Sequence, residues 1–189
     1  MGNSAGSAGK DMVSVLVTDH EEVKELFRQI ESTSDAKTRR DLADQMTAEL
    51  IRHSVAEEQH LYPATRAALP DGDQIADHEI EEHSEAEEGL KRLEGVAGDD
   101  PQFMTIFAEV RDGVLHHIEE EEGDLFPRLQ ATMTADQLVE LGEKITAAKK
   151  IAPTRPHPSA PDTPPLNKVM GPLTGLVDRL RDRFSGRST

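Results

Sequence analysis

The stretch HSVAEEQHLYP at residues 53–63 returns as HIEEEEGDLFP at residues 117–127, and both copies fit the pattern H-x3-E-E-x2-L-[YF]-P. Read as helix, a histidine and a glutamate four residues apart lie one turn above the other on a single face. One imidazole and one carboxylate therefore point at a common position in each copy. The residues ahead of the copies repeat too. His20 is followed by Val23, Phe27 and Ile30, and His83 by Ala86, Leu90 and Leu93, at the same offsets of +3, +7 and +10. His20 precedes His53 by 33 residues and His83 precedes His117 by 34, so the chain reads as two similar helical hairpins.

The apolar spacing predicts four helices. The first carries Val13, Leu16, Val17, Val23, Phe27 and Ile30, and breaks at the polar segment Ser32 to Asp35. A second runs through Leu42, Met46, Leu50, Val55 and Leu61 and ends near Pro63 or a few residues later. A third holds Ile75, Ile80, Ala86, Leu90 and Leu93 before the break at GVAGDDP (95–101), and a fourth runs from Phe103 to Leu125 and meets Pro127. Short polar connections favour antiparallel neighbours, hence an all-α, up-down-up-down four-helix bundle. Thr134 and Gln137 have capping-box spacing ahead of a short fifth helix with Leu138, Leu141 and Ile145. This divides the chain into a flexible N-terminus (1–10), a bundle with its fifth helix (11–150), a Pro-rich linker (151–165) and an amphipathic, arginine-bearing C-terminal helix (166–189).

Composition supports this reading and excludes others. Aromatic residues make up 3% of the chain and Trp is absent, while strong helix formers abound. A net charge of -16 repels phosphate backbones and anionic lipid, which argues against nucleic-acid binding and membrane association. With no cysteine, a bound metal must be held by imidazole and carboxylate. No run approaches the roughly 20 apolar residues that cross a bilayer, and the small, polar first ten residues are not a signal peptide, so a cytoplasmic location is expected.

Folding the hairpins face to face buries His20, His53, His83 and His117 with Glu57 and Glu121 in one apolar interior, an arrangement that is costly unless cations compensate it. Two carboxylates able to bridge neighbouring ions favour a dinuclear centre, and redox chemistry would make iron the first choice. At these residues the chain resembles the hemerythrin-like family, the hemerythrin HHE cation-binding domain, over about Val13 to Pro127. The fifth helix and Pro-rich tail also look like actinobacterial members. The resemblance implies two iron ions, oxo- or hydroxo-bridged, held by His20, His53, Glu57, His83, His117 and Glu121. It departs from the oxygen carriers of the family, which have H-x3-H on the third helix and an aspartate five residues after the fourth-helix histidine. Here Glu79 stands four before His83, with His78 one further away, and Glu121 and Glu122 stand at +4 and +5 after His117. These departures argue against reversible dioxygen transport.

His60 and its repeat counterpart Asp124 are candidates for lining the pocket or relaying protons, as are His78 and Glu79. Glu119 and Glu120 read as a charged helix face and His116 as a surface residue. Tyr62, about 180° from His53 on an ideal helix, reads as a packing residue unless the helix bends before Pro63. His157 in the linker is assigned no role. The expected function is binding of, or reaction with, a small oxidant (dioxygen, hydrogen peroxide or nitric oxide) in sensing or detoxification, with a catalase-like peroxide reaction as one form. The alternatives are iron handling or iron-dependent signalling and, with less support in a cysteine-free chain, iron–sulfur cluster repair.

Overall fold

The computed structural model describes residues 9–157 together with Asp178. Helix α1 spans Met12–Ser32, α2 Ala36–Ala56, α3 Tyr62–Ala68, α4 Gly72–Leu93, α5 Phe103–Glu120, α6 Phe126–Thr132 and α7 Ala135–Lys149. A π-helical turn at Glu57–Leu61 joins α2 to α3, and a second at Glu121–Leu125 joins α5 to α6. The four long helical stretches are thus α1, α2 with α3, α4, and α5 with α6, packed as the bundle that the repeat predicts. Helix α7 lies against α1 and α2.

Local chemistry sets the helix ends. The carboxylates of Asp11 and Asp35 accept from the backbone N–H of Ser14 (2.9 Å) and Thr38 (2.7 Å), which satisfies N–H groups that the first turn leaves unpaired. At α7 the capping box forms in full: Thr134 Oγ1 accepts from Gln137 N and the Gln137 side chain accepts from Thr134 N. Gly95 adopts φ +78° just after α4, a conformation in which a side chain would strain the turn.

Both long broken helices continue past their prolines, to Ala68 and Thr132, rather than ending at them. Each proline sits in the first turn of the helix that follows a π-helical turn, where the ladder is already interrupted and a missing N–H costs least.

The interior is layered. Met12, Leu16, Leu61, Leu125, Phe126 and Leu129 pack with Leu138, Leu141 and Ile145 of α7 at one end. Val23, Phe27, Ile30, Met46, Phe103 and Phe107 fill the other. The candidate histidines fall near where these clusters meet, for example His20 between Leu16 and Val23. After α7 the chain returns along α4. Arg155 pairs with Glu94 (2.9 Å), and the backbone N–H groups of Thr154 and Arg155 donate to the buried Asp178 carboxylate. His157, given no role by the sequence, pairs with that same carboxylate at 2.9 Å. The expected flexible start (except Gly9 and Lys10), the rest of the linker from residue 158 and the C-terminal amphipathic helix apart from Asp178 lie outside the described residues. Among the described residues, no helix is long and apolar enough to cross a membrane.

Candidate metal centre

The four helices deliver their histidines to one layer. His20 (α1), His53 (α2), His83 (α4) and His117 (α5) are all buried, and Glu57 and Glu121, the first residues of the two π-helical turns, are 0% exposed. Every Nε2 points inward. His53 Nε2 lies 3.0 Å from Glu57 Oε2 and His83 Nε2 3.4 Å from the same atom, while His20 Nε2 and His117 Nε2 lie 3.4 and 3.7 Å from Glu121 Oε2. Two groups of convergent donors result, His20/His53/Glu57/Glu121 and Glu57/His83/His117. The six residues singled out in the sequence are therefore brought together, and Glu57 is shared between the groups.

The outward nitrogens meet carboxylates, one each for His20, His53 and His83 and two, Glu79 and Glu82, for His117. Nδ1 of His20 faces Glu122 (2.8 Å), that of His53 faces Asp19 (3.5 Å), that of His83 faces Glu58 (3.3 Å) and that of His117 faces Glu82 (2.9 Å). The pattern obeys the hairpin repeat: Glu58 and Glu122 each follow an inner glutamate, and Asp19 and Glu82 each precede a histidine. A carboxylate accepts, so in a ring that carries a single proton these contacts favour its place on Nδ1 and turn the Nε2 lone pair to the interior.

That arrangement calls for positive charge between the donors. Nε2 of His83 and Nε2 of His117 stand 3.2 Å apart. With both Nδ1 atoms protonated, two lone pairs then face each other. The separation is close to the edge of about 3.4 Å between two donors that bind one four-coordinate ion at roughly 2.0–2.1 Å. His20 Nε2, both oxygens of Glu57 and Glu121 Oε2 are buried with no hydrogen-bond partner of adequate geometry. Each such group costs about 1–3 kcal/mol, more when charged, unless something compensates it. Protons are the alternative compensation. Burial pulls the His53 imidazole down, but the charge of Glu57 and the close contacts with the Asp19 and Glu57 carboxylates outweigh it and raise the pKa to about 10. Burial pushes the Glu57 carboxyl up, and His53 with His83 overcome this and hold it well below the ordinary value. A metal ion and a set of protons thus compete for the same lone pairs.

The π-helical turns correct the expectation for Tyr62. Nine residues at about 100° each put Tyr62 opposite His53, but the extra residue of a π-helical turn swings it back by about 100°. Its hydroxyl lies 3.1 Å from His83 Nε2 and 3.4 Å from Glu121 Oε1, among the donor atoms. The repeat counterpart Phe126 stacks on His20 and offers no oxygen, so the phenol at Tyr62 has no match in the second hairpin.

The remaining candidates separate. Glu79 is buried, and its carboxylate lies 2.9 Å from His117 Nδ1, on the outer side of that ring; burial raises its pKa. Asp124 is exposed and pairs with Arg128, so it does not line the centre. His60 is half-buried and belongs to neither donor group. His78 is exposed, where it pairs with Glu120 (3.0 Å). Glu120 is accordingly more than a solvated helix face.

A profile of the hemerythrin HHE cation binding domain matches residues 11–129. The chain belongs to the hemerythrin HHE cation-binding family. It is 30% identical over 165 residues to an uncharacterized hemerythrin-like protein of Schizosaccharomyces pombe, covering 87% of this chain and 81% of that one. It is 27% identical over 146 residues to a DNA nickase of Nostoc sp., covering 76% of this chain and 41% of that protein. The crystal structure of a hemerythrin HHE cation binding domain-containing protein from Mycobacterium kansasii superposes with a TM-score of 0.65 at 26% identity, covering 75% of this chain and 86% of that one. The fold and the cation-binding character of this hemerythrin-like domain follow, and its buried His/Glu groups fit a metal site.

Proposed function

We propose that this hemerythrin-like domain holds two iron ions and that the pair binds or reacts with a small oxidant, namely dioxygen, hydrogen peroxide or nitric oxide. The observation that carries this reading is the pair of donor groups sharing Glu57. His20, His53, Glu57 and Glu121 would hold one ion, and Glu57, His83 and His117 the other, with the Tyr62 hydroxyl alongside. Nitrogen and carboxylate donors without thiolate suit iron, which would supply the electrons that reduce the oxidant. The protein's own share is orientation and exclusion. The four outer carboxylates fix ring tautomer and direction, and the apolar clusters on either side keep bulk water and large reductants away.

The nickase activity of the Nostoc relative has no counterpart in this reading, since a charge of -16 opposes approach to DNA. A second reading, iron handling or iron-dependent signalling, draws on the contact of Lys149 in α7 with Asp19, the residue behind His53. Peroxide consumption by the iron-loaded protein, compared with His117→Ala, tests the first. Rapid turnover lost in the variant supports an enzymatic role, and equal rates remove it.

A further inference from the structure

The outer surface of α4 and α5 carries a second set of histidines and glutamates, outside the two donor groups of the buried centre. His78 and Glu82 on α4, and His116 and Glu120 on α5, repeat the H-x3-E spacing of the centre itself. The two pairs face each other across the helix contact. His78 Nε2 lies 3.0 Å from Glu120 Oε2 and 3.8 Å from Glu82 Oε1, and His116 Nε2 lies 3.6 Å from Glu120 Oε1 and 4.0 Å from Glu82 Oε1. Each imidazole thus approaches both carboxylates.

We propose that His78, Glu82 and Glu120, with His116 beside them, form a surface site for a divalent cation of the zinc, cobalt or ferrous type. A four-coordinate ion with nitrogen and oxygen donors at roughly 2.0–2.1 Å spaces those donors by about 3.4 Å, and the observed separations bracket that value. Imidazole nitrogen selects these metals over calcium and magnesium, which prefer oxygen alone. The side chains of His78 and His116 are 54% and 62% exposed, so both can close on an ion without repacking the bundle. Glu82 ties the surface to the interior: one oxygen faces this cluster while the other accepts from His117 Nδ1 at 2.9 Å. The site therefore sits at the rim of the buried centre, one carboxylate away from a candidate ligand. The inference stands independently of which metal fills the centre.

The test uses the full chain, free of any affinity tag and loaded with iron. Cobalt(II) is titrated by equilibrium dialysis and its visible bands are recorded, for the natural sequence and for the double variant His78→Ala/His116→Ala. Expected is one cobalt ion per chain beyond the iron, with affinity falling more than about tenfold in the variant, the least that loss of a direct ligand should exceed. No cobalt uptake by the natural sequence, or equal affinity in both proteins, overturns the proposal. Helix content by circular dichroism confirms that the variant, altered only at exposed positions, is folded. Iron content reads the centre separately. Equal iron with lost cobalt supports the surface site, whereas iron absent from both proteins counts against the di-iron reading and leaves the surface site to be judged by the cobalt comparison alone.

Discussion

Asp19 connects two elements that the sequence treats as separate, and replacing it measures that connection. Its Oδ2 lies 3.5 Å from His53 Nδ1, and its Oδ1 meets Lys149 Nζ of α7 at 2.5 Å. Asp19→Asn keeps the shape and removes the charge. Loss of a carboxylate behind a metal-bound histidine lowers metal affinity by about 10- to 100-fold. The long contact to His53 places this case at the lower end, about tenfold, which corresponds to about 1.4 kcal/mol. The Asp19 and Lys149 side chains are 10% and 18% exposed, so the variant also strands a largely buried ammonium. A fully buried broken pair costs about 3–5 kcal/mol, and partial access to water reduces this to about 1–2 kcal/mol of folding stability. Lys149→Met, by contrast, removes the cation and leaves the carboxylate behind His53. It should cost stability and keep iron affinity within a few-fold of the natural protein, roughly a kcal/mol or less. Competition for iron against a chelator and urea unfolding of the chelated protein read the two quantities separately. Iron affinity of Asp19→Asn within twofold of the natural protein would refute the role assigned to Asp19.

Further outcomes follow from the same geometry. In the chelated protein His53 is raised from 6.5 to about 10, a shift that favours folding fully below pH 6.5 and is lost as pH rises through about 10; metal-loaded protein needs the deprotonated ring, so the gap in Tm between loaded and chelated protein should widen over that window, and a constant gap would contradict the competition of protons with metal. Tyr62→Phe should remove any phenolate-to-iron charge-transfer band of the ferric protein and leave its iron content unchanged, because the phenol oxygen stands beside donors that the histidines and glutamates already supply; identical spectra would show that the phenol does not coordinate. Phe107→Ala, which empties a 0% exposed position distant from α7, should destabilise the fold by about 3–5 kcal/mol in chemical denaturation while iron stoichiometry at low temperature is retained.

What could be read from the sequence follows from what a repeat can encode. His20, His53, His83, His117, Glu57 and Glu121 were legible because the hairpin occurs twice, and helical spacing turns matched positions into a shared face. The outer carboxylates were encoded in the same repeat, as an acid before His20 and His83 and a second glutamate after Glu57 and Glu121. They escaped because a charge run on a helix ordinarily faces water. Tyr62 escaped for a geometric reason: an angle computed for an unbroken α-helix fails across a π-helical turn, and an end near Pro63 or a few residues later, or at Pro127, carries no sign that the ladder widens there. Asp124 failed in the opposite sense, since position in the repeat does not guarantee direction, and Arg128 holds its carboxylate outside.

Anomalous diffraction at the iron edge from crystals of the iron-loaded protein tests the central claim most directly. The account predicts two peaks per chain, one amid His20, His53, Glu57 and Glu121 and the other amid Glu57, His83 and His117. A single peak, or none within this layer, would contradict it.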